Sequence, residues 1–239
     1  MNLQKKHLFL GEAPAVLVFN ESIEQAKNKG CILFYHGLSS SKDNQDKEFF
    51  SLAENGFLVA GIDNIGHGER RYKDFDRRFS HLNPNLEEDF INAVYSTAKE
   101  VPKVIDALNE KGLINLSKIG IIGISMGGYI TYSAILKEPR IKVAVSILGS
   151  PKWKIEHSNS PHRHLKRLYP TAILSQNAGL DTSVRPEYAR EFHEELNKYY
   201  TQAPERHKYF EYPNSGHFMK ESDWNFCWQR TIEWFTHFL

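Results

Sequence analysis

Short apolar runs of five to seven residues recur along this chain, and in the stretches between most of them apolar positions fall three and four apart. Cys31 to Tyr35, Phe57 to Ile62, Lys118 to Ile124, Val143 to Leu148, Thr171 to Gln176 and Lys208 to Tyr212 are mostly β-branched or aromatic, and each predicts a short strand. Helical spacing covers Lys47 to Asn55, Leu86 to Lys111, Met126 to Leu136, Pro186 to Tyr199 and Ser222 to Phe238. Pro102 interrupts the second of these, and the pattern leaves open whether it kinks that helix or divides it in two. Two further runs, His7 to Leu10 and Ala15 to Asn20, flank the turn Gly11-Glu12-Ala13-Pro14 and predict a hairpin. Alternating strand and helix predicts an α/β fold, with a mostly parallel central sheet of about eight strands flanked by helices.

No repeat, low-complexity tract or Gly/Ser linker breaks this order, so residues 1–239 are expected to form a single domain. The least regular stretches, Glu69 to Glu87 and Ser150 to Pro170, should emerge near strand C-terminal ends, where open α/β sheets place their ligand sites. Thirty Lys and Arg against 29 Asp and Glu leave a net charge of +1, which predicts no nucleic-acid partner and no stable membrane association. The two cysteines, Cys31 and Cys227, fall in a strand and in the last helix and are expected to be buried reduced thiols. No run has the length of a membrane span or the form of a signal-peptide core, so a cytoplasmic setting is expected. Oligomeric state is not legible in the sequence.

Candidate chemistry enters at residues 121–128, Ile-Ile-Gly-Ile-Ser-Met-Gly-Gly. Ser125 stands between Gly123 and Gly127 where strand gives way to helix, a turn that projects its side chain outward. That turn strains the serine backbone, and a Cβ at 123 or 127 would collide with neighbouring elements. A chance match to the motif need not fall at such a junction. A serine hydroxyl is a weak nucleophile at neutral pH, so it needs an imidazole to take its proton. His217, in Asn214-Ser215-Gly216-His217 between the last strand and the last helix, is the candidate base, while His7, His193, His207 and His237 read as surface residues. The imidazole in turn needs a carboxylate to fix its tautomer. Asp181 follows the strand Thr171 to Gln176 and is the candidate, with helix capping as its competing role and Glu187 and Asp223 as weaker choices. The backbone N–H groups of Met126 and of Leu38, which follows His36-Gly37, are the candidate oxyanion donors.

With Asp63-Asn64-Ile65-Gly66-His67-Gly68 after the next strand, these motifs resemble the α/β-hydrolase superfamily, and within it the small lidless esterases of the dienelactone-hydrolase and prolyl-oligopeptidase-like group. The resemblance spans almost the whole chain. It implies a serine hydrolase, first a carboxylesterase cleaving small to medium acyl esters through Ser125, His217 and Asp181 and an acyl-enzyme, with no cofactor. A thioesterase or short-peptide hydrolase on the same triad is the nearest alternative, and a non-catalytic ligand-binding protein of the same fold is another. In relatives the 63–68 loop borders the active site, and Asp63 and His67 there are structural. Glu69-Arg70 departs from the family pattern, where a small residue often follows the glycine.

Relatives often insert a helical lid before the strand bearing the acid; roughly twenty residues from Ser150 to Pro170 allow only a loop or short cap and an accessible pocket. His36, Trp153 and Phe218 are the candidate substrate-binding residues, and Tyr72, Phe75 and Phe79 could cover the pocket or pack on the sheet. The basic surplus of 150–170 reads as solvated surface, with attraction of an anionic substrate as the alternative. His162-Arg163-His164 lacks a third ligand at recognisable spacing, and no metal is expected.

Overall fold

The computed structural model describes residues 2–239. Its strands are β1 (Leu3–Leu10), β2 (Ala13–Asn20), β3 (Cys31–Tyr35), β4 (Leu58–Ile62), β5 (Ile119–Ile124), β6 (Ile141–Ile147), β7 (Ala172–Ala178) and β8 (His207–Tyr212). All eight lie in one sheet in the order β1-β2-β4-β3-β5-β6-β7-β8. β2 pairs antiparallel with β1 and β4, and every other pair is parallel. The helices are α1 (Ile23–Lys29), α2 (Asp46–Glu54), α3 (Phe75–Arg78), α4 (Leu86–Glu110), α5 (Met126–Ile135), α6 (Pro186–Leu196) and α7 (Glu221–Phe238).

Because side chains alternate across a strand, the inner strands feed two cores. Leu17, Leu33 and Ile121 face α1, α4, α5 and α6, whereas Val18, Ile32 and Ile122 face α2 and α7. The parallel strands carry apolar residues on both faces because both faces are covered, which is why they read as continuous apolar runs.

Strand positions agree with the periodicity to within a few residues, the largest shift being β1, which starts at Leu3. α4 runs unbroken for 25 residues through Pro102, so the proline neither divides nor ends it. α1 escapes the apolar pattern because only Ala26 is buried on it, yet it carries a capping signal: the Ser22 hydroxyl accepts the Gln25 amide at 3.3 Å. Between β6 and β7 there are only two single-turn 3-10 segments, Pro161–Arg163 and Leu165–Arg167, and no lid domain. Among the described residues no helix is long and apolar enough to cross a membrane. Cys31 and Cys227 are buried and unpaired, and burial pushes both thiols up to about 12.

His193 and His207 are buried, contrary to the surface positions their polar neighbours suggest. Burial is possible because both rings are satisfied in a chain of hydrogen bonds: Ser175 to Tyr132 (2.7 Å), Tyr132 to His193 (2.7 Å), His193 to His207 (2.6 Å) and His207 to Asn197 (2.9 Å). Protonating both rings would set two N–H groups against each other at the His193–His207 link. Burial pushes His207 down to about 4, helped by the Lys208 charge, and burial with the neighbouring His207 holds His193 well below the imidazole range. The unfolded chain therefore binds more protons than the fold below about pH 6.5. Stability should fall as pH drops from about 6.5 towards about 4, by up to about 1.4 kcal/mol per pH unit for each ring. Urea midpoints measured across that window check this, and a midpoint that stays flat from about pH 7 to about pH 5 contradicts it.

Candidate active site

Ser125 occupies the junction of β5 and α5 with φ 55° and ψ −113°, a left-handed conformation rare for serine. Its amide donates to the Ile147 carbonyl (2.8 Å) and its carbonyl accepts from Gly128 (2.8 Å), so the strained turn is held from both sides. Both flanking glycines are required by contact. A Cβ on Gly123 would lie 2.0 Å from the Gly127 carbonyl oxygen, and one on Gly127 would lie 1.9 Å from the Tyr35 carbonyl oxygen. Ser39 and Leu148 also have positive φ, at 63° and 53°, so backbone strain gathers around this serine.

The structure brings Asp181 and His217 to Ser125 from separate loops. Ser125 Oγ and His217 Nε2 are 3.0 Å apart, and His217 Nδ1 is 2.7 Å from Asp181 Oδ2. Each Asp181 oxygen has its own partners. Oδ1 accepts the Ser183 and Val184 amides at 2.8 and 2.9 Å, while Oδ2 meets the imidazole. Burial alone would raise this carboxyl, but the bonds from His217, Val184 and Ser183 outweigh it and hold it below the usual carboxylate range. The His217 loop is clamped to the Asp181 turn where the Leu180 amide donates to the Ser215 carbonyl (2.9 Å). Asp223 is engaged elsewhere, accepting from the Ser215 hydroxyl at 2.7 Å, and Glu187 lies near Arg185; neither bonds His217.

His36 does not line the cleft. Its ring is buried, Nε2 accepts the Asn64 amide (3.1 Å), and Nδ1 donates to the Gly37 carbonyl (2.8 Å). Burial is the main force pushing it down to about 4, so it is neutral beside Asp63 and adds to the acid sensitivity above. The planar Gly37–Leu38 peptide holds its N–H opposite its carbonyl, so this bond directs the Leu38 N–H away from His36. Gly37 lies close to Ser125, since a Cβ there would sit 3.7 Å from Ser125 Cβ. Among the described residues neither the Leu38 nor the Met126 amide donates to any acceptor.

A cleft of about 800 Å³ opens over Ser125 and His217. Phe218 stands at its mouth, 96% exposed. Trp153 is a correction: it is buried against Tyr95 and His157, where it ties the 150–170 segment to α4 instead of facing the cleft. Phe75 and Phe79 enclose His67, and Tyr72 covers Gly66; none of the three lines the cleft. The departure at Glu69-Arg70 is a bolt. The Glu69 carboxylate accepts from Lys42 (2.5 Å), and Arg70 reaches the Asp63 carbonyl and Glu100, each at 2.6 Å. Asp63 accepts the Lys42 and Glu69 amides, both at 2.9 Å, which is a structural role.

His162 bonds Ser160 and His164 bonds the Ser158 carbonyl, so the two rings do not converge on a metal position. His7, Asp43 and Glu69 come close enough together to hold a cation, but the Lys42 ammonium already bonds both carboxylates there. The cleft walls missed in the sequence include Glu87, Phe90, Tyr129, Lys154 and Trp224. Only Tyr129 carried a local signal, standing one helical turn beyond Ser125.

Comparison with known proteins places the chain in a family. Residues 26–212 match the family model Hydrolase_4, described as "Serine aminopeptidase, S33". Over 242 residues the chain is 26% identical to "Putative esterase YitV" of Bacillus subtilis (strain 168), covering 87% of this chain and 89% of that protein. TT1662 from Thermus thermophilus superimposes with a TM-score of 0.79 at 17% identity, over 98% of this chain and 99% of that one. A "Putative Dienelactone Hydrolase" from Klebsiella pneumoniae gives 0.78 at 16% identity over the whole of both chains. The acylaminoacyl peptidase of Pyrococcus horikoshii gives 0.71 at 18% identity, this whole chain matching 42% of that protein. These last likenesses show a shared fold, and the family match shows descent: the chain is an α/β-hydrolase and belongs to the Hydrolase_4 family of serine hydrolases.

Proposed function

We propose that this serine hydrolase cleaves carboxylic esters of small to medium size through Ser125, His217 and Asp181. The observation that carries the reading is the unbroken chain from Ser125 Oγ to His217 (3.0 Å) and on to Asp181 (2.7 Å) beneath an open cleft. Ser125 attacks the ester carbonyl while His217 Nε2 takes its proton, and Asp181 holds the Nδ1–H tautomer and steadies the imidazolium. The Leu38 and Met126 amides receive the oxyanion. His217 then returns the proton to the departing alkoxide and activates the water that frees the acyl group.

Hydrolysis of short peptides is the second reading, favoured by the serine aminopeptidase description of the family. A panel of esters, thioesters and N-terminally free peptides, each with a Ser125→Ala control, tests the order. The proposal expects the highest Ser125-dependent kcat/KM on esters; a peptide preference would replace it with the second reading.

His36 is a positioning residue in this scheme. His36→Ala should lower kcat roughly 10- to 100-fold, less than outright loss of an oxyanion donor, with KM little changed. Steady-state kinetics at neutral pH, with a melting curve alongside, check it. A parallel loss of kcat and of folded protein would reduce His36 to a purely structural role.

A further inference from the structure

The cleft straddles the C-terminal edge of the sheet and so has two arms of different character. On the side of α4 and α5, Tyr129 and Phe90 meet edge to face with ring centroids 5.2 Å apart, beside Val184. On the side of α2 and α7, Met219, Trp224 and the fully exposed Phe218 form an open apolar wall. Ser125 lies between them.

Only the first arm carries charged side chains. Glu87, in the first turn of α4 and one turn before Phe90, bonds Lys154 of the 150–170 segment at 2.7 Å, and both residues line the cleft. Burial first, and the Glu87 charge next, hold the Tyr129 hydroxyl above its usual range. Contacts step from Ser125 to Tyr129, one helical turn on, then to Phe90, which packs on Tyr129, then to Glu87, one turn before Phe90 on α4, and to Lys154 bonded to it. The ion pair ties together two elements that approach this arm from separate parts of the chain. An apolar chain growing along the arm meets two charges that lose hydration and partner if it passes between them.

We propose that the Glu87–Lys154 ion pair is a length stop for the apolar group seated beside Tyr129. Resting on the ester reading above, this makes the preferred substrate an ester with one compact apolar group and a second, larger group accommodated along Phe218 and Trp224. The pair is partly exposed, at 42% and 40% of its side chains, so it is held weakly and is screened by salt.

The test uses two series of probes on the intact chain, alkyl fluorophosphonates that label Ser125 and p-nitrophenyl or alkyl esters, each grown by two methylenes at a time. Glu87→Gln and Lys154→Met should each raise the ratio of long-chain to short-chain rate by roughly tenfold for a step of two methylenes beyond the stop. The exchange Glu87→Lys with Lys154→Glu should return the ratio to that of the parent protein. Salt at about 1 M should raise the ratio in the parent but not in a Glu87→Gln, Lys154→Met double variant. A length profile unchanged in both single variants overturns the stop, as does an exchanged pair that behaves like the singles. If Ser125 is labelled but no ester is turned over, the ester reading fails, and the labelling rates still decide the stop.

Discussion

Ser125→Ala should lower kcat on the best ester by about 10⁶, leaving the residual rate that the oxyanion donors and binding alone sustain. Alanine keeps the Cβ that the elbow already accommodates and inherits the same φ of 55°, so folding should be preserved. The effect comes from removing the attacking oxygen and nothing else. Kinetics on protein of parental melting temperature check it. A variant within about a hundredfold of the parent would mean that another group attacks, and the elbow would be strained for no chemical reason.

Asp181→Asn should cost about 10⁴ in kcat. The amide oxygen can retain the bonds to Ser183 and Val184, now at 2.8 and 2.9 Å, which preserves the turn. Its NH₂ then faces His217 Nδ1, which must become an acceptor. That moves the imidazole proton to Nε2, where it opposes Ser125 Oγ and cannot take its hydrogen. Asp181→Ala should lose the turn as well as the tautomer, so comparison of the two variants by melting and kinetics separates the roles of the two oxygens. If Asp181→Asn stays within tenfold of the parent, His217 is oriented by something else.

What could be read from sequence followed from how local the cause was. Gly123, Ser125 and Gly127 are legible because one turn imposes strain on one residue and clearance on two others, all within five positions. The parallel strands are legible because burial on both faces leaves no polar alternation. The place of His36 is not legible in the sequence, because a histidine closing a strand looks the same whether it faces a cleft or the interior. Its direction is decided by the Asn64 amide, 28 residues away. The burial of Trp153 is illegible for a like reason, since contacts that bury it come from Tyr95 on α4. His193 and His207 look like surface residues until Tyr132 and Asn197 supply partners for their rings. Glu87 and Lys154 are ordinary charged residues of a helix start and a loop, and only the tertiary fold sets them on one cleft.

The Asp181 result also shows that competing sequence readings need not exclude each other. A carboxylate with two oxygens can hold a turn and meet an imidazole at once, and the bonds from His217, Val184 and Ser183 together hold it below the usual carboxylate range.

The central claim is that Ser125 is a nucleophile activated by His217. Intact-mass and peptide mass spectrometry after treatment with a fluorophosphonate tests it most directly. One equivalent of label on the peptide containing Ser125, slowed strongly in His217→Ala and absent in Ser125→Ala, is the predicted result. Folded protein that takes up no label, or takes it up at another residue, would contradict it.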